Sequence, residues 1–146
     1  PLGWPLLVSK TNKLNVNNPV WGHACFHVGF VGNQAKQADK TYFNQGIGTA
    51  LCNASVKWAR EHKYGAVIAQ GGTKIIPEYN VWMGCLPWTT YNKIGFIEKY
   101  SEHDGAELPW WTKGEANQDV MKQVNDVIKS NYSTKEICTK LMLLEM

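Results

Sequence analysis

The chain has 146 residues, 44% of them apolar, which is enough to bury one sizeable core and too few for two comfortable domains. Its formal charge of +3 comes with scattered lysines, so there is no basic stripe of the kind that tracks nucleic-acid phosphates, and nucleic acid is set aside as a partner. No apolar run reaches the ~20 residues of a membrane-spanning helix, which sets the membrane aside too, and the mild positive charge suits an anionic small molecule.

Leu6-Leu7-Val8, closed by the polar cluster 9–13, predicts a strand over residues 5–9 entering a hairpin. From Val20 to Val31 the side chains alternate, with Val20, Ala24, Phe26 and Val28 on one face and Trp21, His23, Cys25 and His27 on the other, the clearest strand pattern in the chain. Residues 32–40 are polar and loop-like, and Thr41-Tyr42-Phe43 predicts a very short strand. From Ile47 to about Tyr64 the period becomes helical, with Ile47, Leu51, Ala54, Trp58 and Ala59 on one side and Asn53, Lys57, Arg60 and Glu61 on the other; Gly65 is the expected stop. Ala66-Val67-Ile68-Ala69, bounded by Gly65 and Gly71-Gly72, reads as a strand buried on both faces in a parallel arrangement, so that strand, helix and strand form a βαβ-like unit.

Pro87 belongs in the first turn of a helix over about 88–94, because its missing N–H costs nothing there. Gly95 ends that helix and Phe96-Ile97 begins another strand. Val120, Val124, Val127 and Ile128 repeat at helical spacing over 117–131, and Ser133 with Glu136 makes a capping-box pattern ahead of Ile137, Leu141 and Leu144. Two C-terminal helices are therefore expected.

The feature with most chemical content is Gln45-Gly46-Ile47-Gly48-Thr49-Ala50 at the start of the long helix. A glycine turn feeding a helix N-terminus presents unpaired N–H groups and the positive end of the helix dipole, which bind phosphate oxygens. The turn lacks the Gly-Lys-Ser/Thr of a nucleotide P-loop, and Leu51 stands where a dinucleotide fingerprint has its third glycine. Alone, G-x-G before a helix also occurs for purely conformational reasons.

Read in order, G-I-G-T-A-L at 46–51, the buried strand at 66–69 and Tyr91-Asn92-Lys93-Ile94-Gly95-Phe96 resemble the GNAT (GCN5-related) N-acetyltransferase family. The resemblance covers about residues 5–100, with 101–146 as an extension of the same single domain over 1–146. It implies an α/β (α+β) fold of acyl-CoA N-acyltransferase type, a mixed, mostly antiparallel sheet flanked by helices, here with a C-terminal helical extension. It implies acetyl-CoA as co-substrate, its pyrophosphate on Gln45, Gly46, Ile47, Gly48, Thr49 and Ala50, and Tyr91 as the catalytic acid that protonates the departing thiolate. The acceptor would be the primary amine of a small molecule or peptide, and a homodimer is left open. Phe43 stands where the family has Gln or Arg. The apolar strand that in the family precedes the loop and receives the pantetheine arm has only Thr41-Tyr42-Phe43 to represent it, so either it is curtailed or residues are missing between Val31 and Gly46. The chain begins, at Pro1, on what resembles the family's second strand, which leaves open an incomplete fold needing a partner chain. A non-catalytic coenzyme A or nucleotide-binding module is the alternative to an enzyme.

Other groups carry two readings each. His23, Cys25 and His27 share a strand face and suggest a metal constellation, a general base or structural histidines; no metal is expected, for want of a fourth ligand. Cys85 before the Pro87 helix reads as an activated thiol or an inert one, and Glu78 as a carboxylate base or a solvated loop residue. Leu108-Pro109-Trp110-Trp111 reads as a lid or as packing, and Trp82 and Trp88 as core or pocket wall. The four cysteines lie 27, 33 and 53 residues apart with no C-x-x-C pair, which predicts a reduced, cytoplasmic setting.

Overall fold

The computed structural model describes residues 19–23, 25, 26, 28, 40–77, 80, 81, 84–101, 118–130, 136 and 138–146. In chain order they form β1 (Val20–His23), a 3₁₀ turn (Lys40–Tyr42), α1 (Ile47–Glu61), β2 (Ala66–Gly71), α2 (Trp88–Ile94), β3 (Ile97–Ser101), α3 (Gln118–Lys129) and β4 (Lys140–Glu145). The fold is α+β, with one four-stranded sheet in the order β1-β2-β4-β3. β1 runs parallel to β2 for four pairs, from Val20↔Ala66 to His23↔Ala69, and the other two interfaces are antiparallel.

All six residues of β2 are buried, as the continuous apolar run predicts. Its two faces feed separate clusters. Val67 and Ala69 join Met142 of β4 beneath α1 and α2, with Cys52, Val56, Ala59, Tyr91 and Phe96, while Ala66 and Ile68 join Leu141 and Leu143 on the opposite face. The alternation is the period of two that strands impose. Gly71 lets α2 start directly on the end of β2, since a Cβ there would lie 2.8 Å from Trp88 Cα.

Several expectations are corrected. Of the long strand expected over 20–31, Val20–His23 form β1, while residues 25, 26 and 28 lie outside any strand and 24, 27 and 29–31 lie outside the described residues; pairing with β2 ends at His23, and the Phe26 amide bonds to the Gly84 carbonyl instead. Thr41 and Tyr42 lie in a 3₁₀ turn rather than a strand. The strand that precedes the glycine turn, lies parallel to β2 and completes the βαβ unit is therefore β1. The buried stripe of α1 is Cys52, Val56 and Ala59; Leu51 and Trp58 are 44% and 40% exposed. That is one residue of rotation, about 100° on a 3.6-residue turn, from the stripe the sequence suggests. α1 ends at Glu61, with His62 as its C-cap and Lys63 just beyond at φ 59°, rather than running on to Gly65, and the Tyr64 amide closes on the Ala59 carbonyl at 3.0 Å.

The first C-terminal helix is present as α3, but the second is not, so there is no two-helix extension. Residues 140–145 instead form β4 in the middle of the sheet, six pairs deep against β2. Ile137, Leu141 and Leu144 match a helical period only if Met142 and Leu143 are passed over. The unbroken run Leu141-Met142-Leu143-Leu144 suits a strand covered on both faces, and here it satisfies the facing edges of β2 and β3 together. The capping residue Ser133, Ile137 and the hairpin strand at 5–9 lie outside the described residues. Among the described residues, no helix is long and apolar enough to cross a membrane.

A lysine in the left-handed region carries a cost that glycine does not. Lys63→Gly is expected to stabilise the fold by about 1 kcal/mol, seen as a higher urea midpoint at unchanged slope. An unchanged midpoint would show that the φ of 59° at Lys63 is not strained.

Candidate functional site

Beyond the carboxyl ends of β1 and β2 lies a cavity of about 450 Å³, bounded by Phe26 and Val28 after β1, by the turn 42–49, and by Asn80, Cys85, Leu86 and Pro87 after β2. Of the six residues assigned to pyrophosphate binding, Gln45, Gly46, Ile47, Gly48 and Thr49 line this cavity; Ala50 does not. The Ala50 amide is already spent on the first helical bond, to the Gly46 carbonyl at 2.9 Å. Gly46 is the N-cap at φ 74°, and Asn44 before it also sits in the left-handed region, which Asn tolerates better than most residues. No side chain caps α1 and no acidic residue stands in its first turn. Among the described residues nothing accepts from the amides of Ile47, Gly48 and Thr49, so the positive end of the α1 dipole faces the cavity unneutralised.

The two glycines of the turn differ in purpose. Gly46 needs its φ, and a Cβ there would meet nothing within 4 Å. Gly48 lets Leu86 approach closely, since a Cβ would lie 2.8 Å from Leu86 Cδ2 and push the end of that side chain aside. The Gln45 side chain reaches back to the Thr41 carbonyl at 3.5 Å rather than forward into the cavity. Phe43, at the position where the resemblance calls for Gln or Arg, is among the lining residues as an apolar wall.

Tyr91 is placed differently. It is 1% exposed in the core, edge-on to Phe96 at 5.1 Å, and is not among the cavity's lining residues. Burial holds its phenol well above the ordinary range, the neighbouring Cys85 and Cys52 act in the same direction, and the Leu86 amide works against them. The phenol is thus protonated at neutral pH, and residues 85–86 stand between it and the cavity.

His23, 5% exposed, belongs to a buried polar tie between β1 and α1. Its Nε2 is 2.8 Å from Ser55 Oγ, Ser55 Oγ also accepts from Trp21 Nε1 at 2.8 Å, and Cys52 Sγ lies 3.9 Å from His23 Nδ1. Burial lowers the His23 pKa to about 4. Buried, and with both ring nitrogens engaged, this imidazole is placed as a tie between β1 and α1. Cys25 on the next turn of chain is exposed, and among the described residues no three His, Cys, Asp or Glu groups converge. Cys85 lines the cavity, but burial pushes its thiol up to about 12 despite the opposing Gly72 amide, so the thiolate a nucleophile needs is not available. His27, Glu78, Trp82 and Leu108 to Trp111 lie outside the described residues. Trp88 packs against the larger core cluster with the Lys140 ammonium 4.1 Å above its ring.

Ser55, Leu86 and Asn80 carry no motif in the sequence. The signal that points to the last two is the pair Gly71-Gly72: a Cβ on Gly72 would overlap Asn80 Oδ1 and press Cys85 Sγ at 3.0 Å, so the second glycine marks a close crossing of chain as well as a strand boundary. Comparison of the chain with protein-family models, with curated proteins and with solved structures finds no match.

The depressed pKa of His23 ties stability to pH. The unfolded chain takes up this proton below about 6.5 and the folded chain only below about 4, so stability is full above 6.5 and falls as pH drops through that window. Urea midpoints between pH 7 and pH 4 are expected to register a loss on the order of 3 kcal/mol from this group, and His23→Gln is expected to flatten that part of the curve. An equal slope in the variant would assign the acid sensitivity elsewhere.

Proposed function

We propose that this chain binds acetyl-CoA through the backbone amides of the 45–49 turn and transfers the acetyl group to a primary amine. The observation that carries the reading is the trio of amides, on Ile47, Gly48 and Thr49, that have no acceptor among the described residues and stand at the wall of a cavity beyond the ends of a parallel strand pair. Ligands of open α/β sheets collect at this place, and a helix start without a cap or an acidic residue lacks its internal anion. The resemblance of residues 45–50 and 91–96 to the GNAT family supplies the cofactor's identity. The chemistry needs no covalent enzyme intermediate. The amine nitrogen attacks the thioester carbonyl, the C–S bond breaks, the sulfur takes the Tyr91 phenol proton, and the excess amine proton leaves to solvent, from which the phenolate is reprotonated. Positioning supplies much of the rate.

A second reading, a coenzyme A-binding module without turnover, is favoured by one observation, the 1% exposure of Tyr91 behind residues 85–86. The two readings share the turn and differ at the phenol. In the enzyme reading, thiol release from acetyl-CoA across a panel of amines falls at least tenfold in Tyr91→Phe. Binding without thiol release, in wild type and variant alike, leaves the module.

The turn itself is tested by Thr49→Asp. A carboxylate in the first turn complements the helix dipole and is expected to stabilise the protein by about 0.5 kcal/mol, while repelling a pyrophosphate at the same amides. Calorimetry is expected to show acetyl-CoA affinity reduced by about tenfold or more, equivalent to at least 1.4 kcal/mol, in a variant with a raised melting temperature. Undiminished affinity in that more stable variant would remove the anion from the turn.

A further inference from the structure

β1 and β2 stop pairing at His23↔Ala69, yet the chain does not leave a void between their continuations. Carrying the same register onward would set Phe26 opposite Gly72. Instead residues 84–87 lie between them. On one side the Phe26 N–H donates to the Gly84 carbonyl at 2.5 Å. On the other the Gly72 N–H donates to the Leu86 carbonyl at 2.9 Å, the Gly72 carbonyl accepts from the Trp88 N–H at 2.8 Å, and Gly72 and Pro87 form an isolated parallel bridge. Two strand ends that would otherwise offer two donors and an acceptor to an extended molecule have those groups taken by a short piece of their own chain.

We propose that residues 84–87 are an intramolecular strap that fills the slot between the ends of β1 and β2 and competes there with the amide-bearing arm of a coenzyme A ligand. This rests on the reading that coenzyme A is the ligand. The strap sits where such competition would act. Cys85, Leu86 and Pro87 line the same cavity as the glycine turn, and Leu86 Cδ2 reaches Gly48 at the start of α1. The pantetheine arm carries two secondary amides, which provide the C=O groups needed to replace the strap's two backbone bonds, to Phe26 and Gly72, and an N–H for the Gly72 carbonyl that the start of α2 now holds. Displacing the strap also removes the wall between the cavity and the Tyr91 phenol, so one movement opens the arm's slot and uncovers the acid. The strap is built to hold its place: Gly84 turns into it at φ 64°, the Cys85 amide bonds to the Asn80 carbonyl at 3.0 Å, and Gly72 has no side chain to keep it off.

The test reads the strap directly and the ligand separately. Cys52 is fully buried and Cys85 half-buried at the cavity wall, so under native conditions Cys52 alkylation reports opening of α1 from the core, and the change in the Cys85 rate when the strap is loosened reports opening of the strap, with exposed Cys25 as the fast control. Peptide mass spectrometry reads the Cys85 rate relative to Cys52 and Cys25 in the wild type and two variants. The Cys85 rate should rise at least tenfold, at unchanged Cys52 rate, in Gly72→Ala, whose Cβ would overlap Asn80, and in Gly84→Ala, whose φ of 64° strains any other residue. Calorimetry on the same proteins compares acetyl-CoA with adenosine 3′-phosphate 5′-diphosphate, which has the pyrophosphate and no arm. Either variant is expected to tighten acetyl-CoA at least tenfold and leave the nucleotide unchanged. A Cys85 rate that stays the same in all three proteins would overturn the strap. So would faster Cys85 labelling with no gain for acetyl-CoA while the nucleotide binds. Absence of binding by both ligands would instead overturn the coenzyme reading, leaving the strap's own opening to be decided by the labelling ratio.

Discussion

Everything in this fold is arranged around the need of β2 for partners on both edges. Its six residues are buried without exception, so none of its peptide groups has water to turn to. β4 answers along the whole length of one edge, in antiparallel register from Ala66 to Gly71. β1 answers along only four residues of the other. The mismatch between a six-residue demand and a four-residue supply creates the crevice, and the cavity, the start of α1 and residues 84–87 all gather where the supply runs out.

What could be read from the sequence was the part in which local chemistry and tertiary context agree. The run 66–69 between glycines, the helix opening at Ile47 and the short helix between Pro87 and Gly95 lie where the residues place them. So does the turn at 45–49 at the edge of a cavity. The misreadings fall where a pattern was sampled too thinly or a partner lay far along the chain. Leu141 and Leu144 keep a helical spacing, but the residues between them are as apolar as they are, and only the open edges of β2 and β3 decide that the segment extends. Alternation persists from Val20 to Val31, whereas pairing lasts only to His23, because the partner beyond that point is a segment near Gly84 that no local pattern reveals.

The candidate site shows the same division. Backbone features of the turn were legible, because glycine codes for a φ or for close approach. The side-chain constellations were not: His23 meets Ser55 and Cys52 across about thirty residues, and the two orphan-looking polar types become one satisfied tie. Tyr91 stood out in the sequence only through the resemblance of the 91–96 segment, and its depth behind Leu86 depends on how 84–87 crosses the end of β2.

β3 has a bearing on self-association. Among the described residues it is one of the two outer strands of the order β1-β2-β4-β3, and its register breaks between Glu98 and Tyr100. Its charges are paired with those of the sheet, Glu98 with Lys140 at 2.6 Å and Lys99 with Glu145 at 3.6 Å. A foreign strand laid along this edge would meet an irregular ladder and would have to displace or desolvate ionic groups to dock. Among the described residues, the ones that finish the sheet on this side thus raise the cost of adding a strand to it, through the pattern of charge and pleat and not through the core.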